Sequence, residues 1–235
     1  MIAEAKTWTE YRVTLRPDHD PESPREWDNM GTMVCFHSRY NLGDEKPKHG
    51  VDAWIDGLIY DLVEPDDPEL IPVDHKMAIL DKRTVMLPLY LMDHSGLSMG
   101  VGAFSCHWDS GQVGYIYCTL EQARENWMRP DATWDTMLPQ DDGPDITMRE
   151  YAKLVLEGEV ETYDQFISGQ VYGFEVETRE VEINLFGDEV AGEWEDGDSC
   201  WGFYGRDVEK NGMIDHAPDD ERARQAFRDA EVDYD

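Results

Sequence analysis

The chain reads as an α+β domain, a mostly antiparallel sheet with three or four helices packed on it. Three observations predict this. Short stretches alternate apolar and polar residues with period two. A few longer stretches switch to the helical period, and two of them open on capping-box sequences. Pro-, Gly- and Asp-rich punctuation separates these stretches. The 235 residues include 8 Trp, 11 Tyr and 7 Phe and are 40% hydrophobic, enough to build a substantial core.

The elements follow in order. WTEYRVTL at 8–15 alternates Tyr11, Val13 and Leu15 and predicts a first strand. RPDHDPESPREWD at 16–28 is loop-like. GTMVCFHSRY at 31–40 predicts a strand that places Cys35 and His37 on one face. In DAWIDGLIYDL at 52–62 the period changes. Trp54, Ile55, Leu58, Ile59 and Leu62 share a helical face, with Asp52 as N-cap. Residues 73–80 fit a helix or a strand equally. TVMLPLYLM at 84–92 predicts a strand, and Pro88, which lacks a backbone N–H, puts it at an edge or beside a bulge.

Asp93-His94-Ser95-Gly96 and Ser110-Gly111 read as turns, and QVGYIYC at 112–118 as a further strand. Thr119 and Gln122 form one capping box and Thr147 and Glu150 another, each opening a helix. Gly158 reads as the stop of the second helix, followed by a hairpin over 160–177 that turns at Ser168-Gly169. In the acidic stretch 178–198, Val181, Ile183, Leu185, Phe186 and Trp194 are the core formers. SCWGFYG at 199–205 reads as a strand. The layout is one domain over 1–205, with a possible sub-boundary near 119–147. It is followed by an acidic C-terminal helix or tail over 206–235, whose thin apolar face of Ala223, Ala226, Phe227 and Ala230 predicts loose docking.

Charge is the most unusual property. There are 52 acidic residues against 20 basic, a formal net charge of -32. Residues 1–118 contribute -10 and residues 119–235 contribute -22. Such a surface repels nucleic acids and anionic membranes and attracts basic partners; it also favours solubility. No apolar run is long enough to span a bilayer, and the N-terminus lacks the pattern of a secretory signal. With no CxxC pair among Cys35, Cys106, Cys118 and Cys200, free thiols in a cytoplasm are expected.

Four segments carry a resemblance: WDNMGTMVCFHSRYNLGD at 27–44, LPLYLMDHSGLSM at 87–99, FSCHWDSGQVGYIY at 104–117 and DSCWGFYG at 198–205. Together they resemble an uncharacterised family of bacteriophage and prophage proteins with no established activity. The resemblance implies a phage protein acting in the cytoplasm of a bacterial host, and it carries over no catalytic residue.

Two functional classes follow. The first is an acidic phage-encoded protein that binds and inhibits a basic, nucleic-acid-binding host protein. It would be a DNA mimic of the anti-restriction or anti-CRISPR kind, with carboxylates standing in for phosphates. Its binding residues would be Asp141, Asp142, Asp145, Glu193, Glu195, Asp196 and Asp198, and no cofactor is implied. The second is a small Cys/His/Asp-dependent hydrolase or metal-dependent enzyme. Its nucleophile would be Cys106 or Cys200, with His94 as base and Asp93 or Asp109 as orienting group; its metal ligands would come from Cys35, His37, His94 and His107. No HExxH, CxxC, GxSxG or phosphate-loop spacing is present to favour it.

Overall fold

The structure is a computed structural model that describes residues 6–106, 108–141 and 143–234. Among these residues the α+β class holds, with five α-helices and sheets that are antiparallel in all but one strand pair. The chain divides into two compact units. One comprises residues 1–22 and 165–235, the other residues 23–164.

The first unit is built on β1 (Thr7–Pro17), β8 (Val171–Ile183), β9 (Glu189–Ala191), β10 (Glu195–Tyr204) and β11 (Glu231–Val232). Their order is β10-β8-β1-β11, with β9 following β10 along the same edge of β8. The pleat sorts β1 and β8 by face. Val13, Leu15, Phe174 and Val176 are buried beneath a C-terminal cover that includes Met213, Val208 and α5 (Glu221–Arg228). The expectation of loose docking for this helix does not hold, because one large residue suffices: Phe227 is fully buried, its ring centroid 5.0 Å from that of Phe174. Asp220 caps α5 by accepting from the Arg222 N–H at 2.8 Å.

The other face of β1 and β8 carries a charged ladder set by register. Glu10 lies opposite Arg179 and Arg12 opposite Glu177, each pair joined by an ion pair, and Arg16 pairs with Glu175 and Asp233. The guanidinium groups of Arg12 and Arg179 both lie against the Trp194 ring, 4.6 and 4.5 Å from its centroid. Beside the ladder, the Trp201 ring lies directly over Gly173, where any Cβ would strike it.

The second unit is organised around β2 (Thr32–Cys35), β3 (Thr84–Asp93), β4 (Leu97–Gly100) and β5 (Ser110–Thr119), in the antiparallel order β2-β5-β3-β4. One face is covered by α1 (Val51–Val63) and α2 (Val73–Arg83), which enclose Leu58, Ile59 and Leu80 with Met86 and Tyr117. The ambiguous stretch 73–80 is therefore helix. Asp52 sits in the first turn of α1, and the cap position itself is Gly50. Lys76 of α2 and Asp56 of α1 form a largely buried ion pair.

On the opposite face runs α4 (Met148–Ile167), burying Met148, Ala152, Leu156, Val160 and Tyr163 at helical spacing. It passes straight through Gly158, and residues 160–167 are helix rather than the first arm of a hairpin. Gly158 lies on the exposed side with open space around it, so it neither packs nor stops the helix. Gly169, at φ +70°, is the left-handed residue that follows the helix end. Both predicted capping boxes form, at Thr119 before α3 (Leu120–Asn126) and at Thr147 before α4. Pro88 occupies the part of β3 that β4 does not reach, next to an irregularity between Leu89 and Tyr90. A two-stranded ribbon, β6 (Met137–Leu138) with β7 (Ile146–Thr147), completes the unit.

A buried ionic cluster ties the start of this unit to its body. Arg25 forks onto Asp44, at 2.9 and 2.6 Å, and reaches Glu159 at 2.9 Å and the Gly31 carbonyl at 2.7 Å. Glu159 also accepts from the N–H groups of Met30 and Gly31, and Asp44 from that of Met33. Burial pushes the Arg25 pKa down, but the hydrogen bonds to the two carboxylates more than offset it, so the group stays firmly charged.

Candidate functional site

The polar centre near the β3–β4 turn is assembled by strand register. Asp93 ends β3 and its N–H donates to the Asp109 carbonyl at 2.8 Å, which extends the β3–β5 ladder and brings residues 93–94 beside Cys106 and Asp109. His94 Nδ1 lies 3.1 Å from Asp109 Oδ2, and the Cys106 thiol donates to the same oxygen at 3.5 Å. Thus Cys106, His94 and Asp109 meet. They meet on one carboxylate, however, whereas a nucleophilic pair needs the imidazole on the thiol itself. The side chains are exposed, so nothing there excludes water.

Asp93 turns away from this group. It accepts from the Tyr40 hydroxyl at 2.9 Å and pairs with Arg39 at 3.1 Å. His37 stacks on Tyr40, ring centroids 5.0 Å apart, and its Nδ1 accepts the Tyr40 N–H. Cys35 is buried in β2, where burial and then the nearby Asp44 push its thiol up to about 12. Cys118 is likewise pushed up to about 12 by burial. Cys200 belongs to the first unit and is partly buried against its core. His107 and Asp142 lie outside the described residues. Among the described residues no group of three or more His, Cys, Asp and Glu is placed to hold a metal ion.

A groove of about 1240 Å³ opens in the second unit, with Leu62, Tyr117, Arg124, Met128, Trp134 and Asp135 among its lining residues. None of the candidate catalytic, binding or metal-ligating residues named from the sequence lines it. Its three cationic and four acidic side chains give it no single charge to select a ligand.

The acidic candidates are placed differently. Glu193, Glu195, Asp196 and Asp198 lie at and just before the start of β10, all exposed. Asp141 and Asp145 are exposed on the loop joining β6 to β7, in the other unit. Residues 180–198 contain eight carboxylates and no basic residue. Unlike Glu10, Glu175 and Glu177 of the same sheet, none of these eight forms an ion pair among the described residues. β10 is also the open edge of its sheet and is interrupted by two register shifts. Charge and bulges together keep such an edge from pairing with another chain.

What sequence reading missed here is the tip between β8 and β9. Val181 is buried, as expected of a core former, but Leu185 is 93% and Phe186 90% exposed. Local apolar content could not separate them from Val181; only the Asn184 and Gly187 flanking them mark a turn.

Comparison of the chain with protein-family models, with curated proteins and with solved structures gives no match.

Proposed function

We propose that this chain is a phage-encoded acidic protein of the host cytoplasm that binds and inhibits a basic, nucleic-acid-binding host protein by presenting carboxylates in place of phosphates. The observation that carries this reading is the contrast within one sheet. Glu10, Glu175 and Glu177 are neutralised by arginines, whereas the eight carboxylates of 180–198 stand exposed and form no ion pair among the described residues. Clustered like charges repel one another and weaken the compact state. A partner carrying Lys and Arg relieves that repulsion, and its attraction is long-ranged and salt-sensitive. The phage setting is supported by the resemblance of the four segments.

The test is inhibition of DNA cleavage by purified restriction and CRISPR nucleases, titrated with this protein at increasing salt. Inhibition should weaken steeply with salt. It should fall about tenfold or more when Glu193→Gln, Glu195→Gln, Asp196→Asn and Asp198→Asn are combined. Inhibition untouched by both changes rules the mimic out.

A second reading, the Cys/His/Asp hydrolase or metal-dependent enzyme, draws on the meeting of His94, Cys106 and Asp109. It requires hydrolytic turnover that disappears in Cys106→Ala and His94→Ala.

A further inference from the structure

We infer that the tip of the β8–β9 hairpin is an apolar anchor, in which Leu185 and Phe186 insert into an apolar pocket on the basic partner while the surrounding carboxylates engage its cations. The inference rests on the binding reading above and adds where that partner is gripped. The turn is built without any help from these two side chains. Asn184 Oδ1 accepts the N–H groups of Phe186 and Asp188 at 2.8 and 3.0 Å, and the Asn184 N–H donates to the Asp188 carbonyl at 2.9 Å. The Gly187 N–H donates to the Asn184 carbonyl at 3.0 Å, and Gly187 supplies the left-handed φ of +87°. A tip position of this kind ordinarily carries a small polar residue. Here it carries a leucine and a phenylalanine, both almost fully exposed.

An aromatic and an aliphatic side chain held in water by a locked turn have two of the properties of an interface anchor. They offer a large apolar area on a backbone that is already fixed, so docking has only the two side chains to order. Charge decides what the anchor docks into. Glu180, Glu182, Asp188 and Glu189 flank it against the single Lys6, whose carbonyl accepts the Ile183 N–H at 3.1 Å, so the flank is net acidic. An acidic rim would repel the flanking carboxylates, a neutral one would strip their water without return, and a second copy of this chain would bring the same carboxylates face to face. A pocket rimmed by Lys or Arg complements both features.

Two synthetic peptides of equal length and equal lysine content serve as probes. One alternates lysine with serine; the other is an amphipathic helix whose remaining positions are leucine. Their binding to the full chain is followed by fluorescence anisotropy at low salt. The protein should bind the lysine–leucine peptide about tenfold tighter or more. Leu185→Ser/Phe186→Ser should erase that preference while leaving the affinity for the lysine–serine peptide unchanged. The single Phe186→Ser variant, which leaves Leu185 in place, should remove most of it. A circular dichroism melt unchanged from the parent shows that the variants remain folded. A preference that survives both variants overturns the anchor and leaves the acidic surface standing. Binding of neither peptide overturns the acidic reading and the anchor with it. Dimers of the parent chain that dissociate in the double variant make a second copy the occupant and overturn the inference.

Discussion

Arg25 offers the sharpest test of the structure, because its side chain is only 6% exposed and every bond it makes is defined. Replacing it with Met keeps most of the aliphatic volume and removes the guanidinium. Glu159, 11% exposed, and Asp44 would then be left with backbone N–H partners alone. Breaking a buried pair by deleting one member strands charge in a poorly solvated place, which costs about 3–5 kcal/mol. A typical domain has a stability of about 5–15 kcal/mol, so Arg25→Met should lose a large part of it. Urea unfolding gives the total. Hydrogen exchange read by mass spectrometry places the loss, which should fall on peptides within 23–164. Arg25→Lys cannot reproduce the fork onto Asp44 and should fall between the two. Adding Glu159→Gln to Arg25→Met should cost less than the sum of the single changes. A loss below about 1 kcal/mol would mean that the cluster behaves as a surface ion pair, and the reasoning would fail.

Four further predictions concern the backbone and the thiols. Gly158→Ala should stabilise the chain by about 0.8–1 kcal/mol in urea melts, since the site is exposed, helical and open; a loss would mean that α4 breaks there. Gly173→Ala should destabilise it and redshift Trp201 fluorescence, because the new methyl displaces that ring; wild-type stability would show that the ring has room to move. At mildly alkaline pH iodoacetamide should label Cys106 readily, leaving Cys35 and Cys118 unmodified until urea is added, as peptide mass spectrometry would show. Both buried thiols are raised from 9.0 to about 12, so they stay protonated in the folded chain while the unfolded chain ionises. Their contribution to stability is therefore intact below pH 9 and declines between pH 9 and 12, by about 1.4 kcal/mol per unit for each thiol. Cys35→Ala should flatten that decline.

The sheet of the second unit was legible because burial leaves its mark on composition. TVMLPLYLM is nearly continuous in apolar residues because Val85, Leu89 and Leu91 are buried on one face of β3 and Met86 packs against α1 and α2 on the other. The capping boxes were legible because their chemistry is local. The end of α4 was not, because glycine does two unrelated jobs. At Gly169 it terminates, and at Gly158 it merely fills an exposed position, while the Leu156, Val160 and Tyr163 stripe carries the helix onward. The candidate site shows the same limit over longer distances. Sequence offered His94 with Cys106 or Cys200 and with Asp93 or Asp109, but which of these meet depends on which residue of β3 faces which of β5. That register also sends Asp93 to Tyr40 instead.

The pairing of β1 with β8 joins residues more than 150 positions apart, from Thr7 with Glu182 to Pro17 with Tyr172. In a chain made from its N-terminus, β1 leaves the ribosome early and waits for a partner until residues 23–164 and then β8 have followed. The second unit can fold in that interval, so the order of completion is inner segment first, outer segments last. Meanwhile β1 is an unpaired strand, and its alternating Glu10, Arg12 and Arg16 discourage the wrong neighbours until the right one is made.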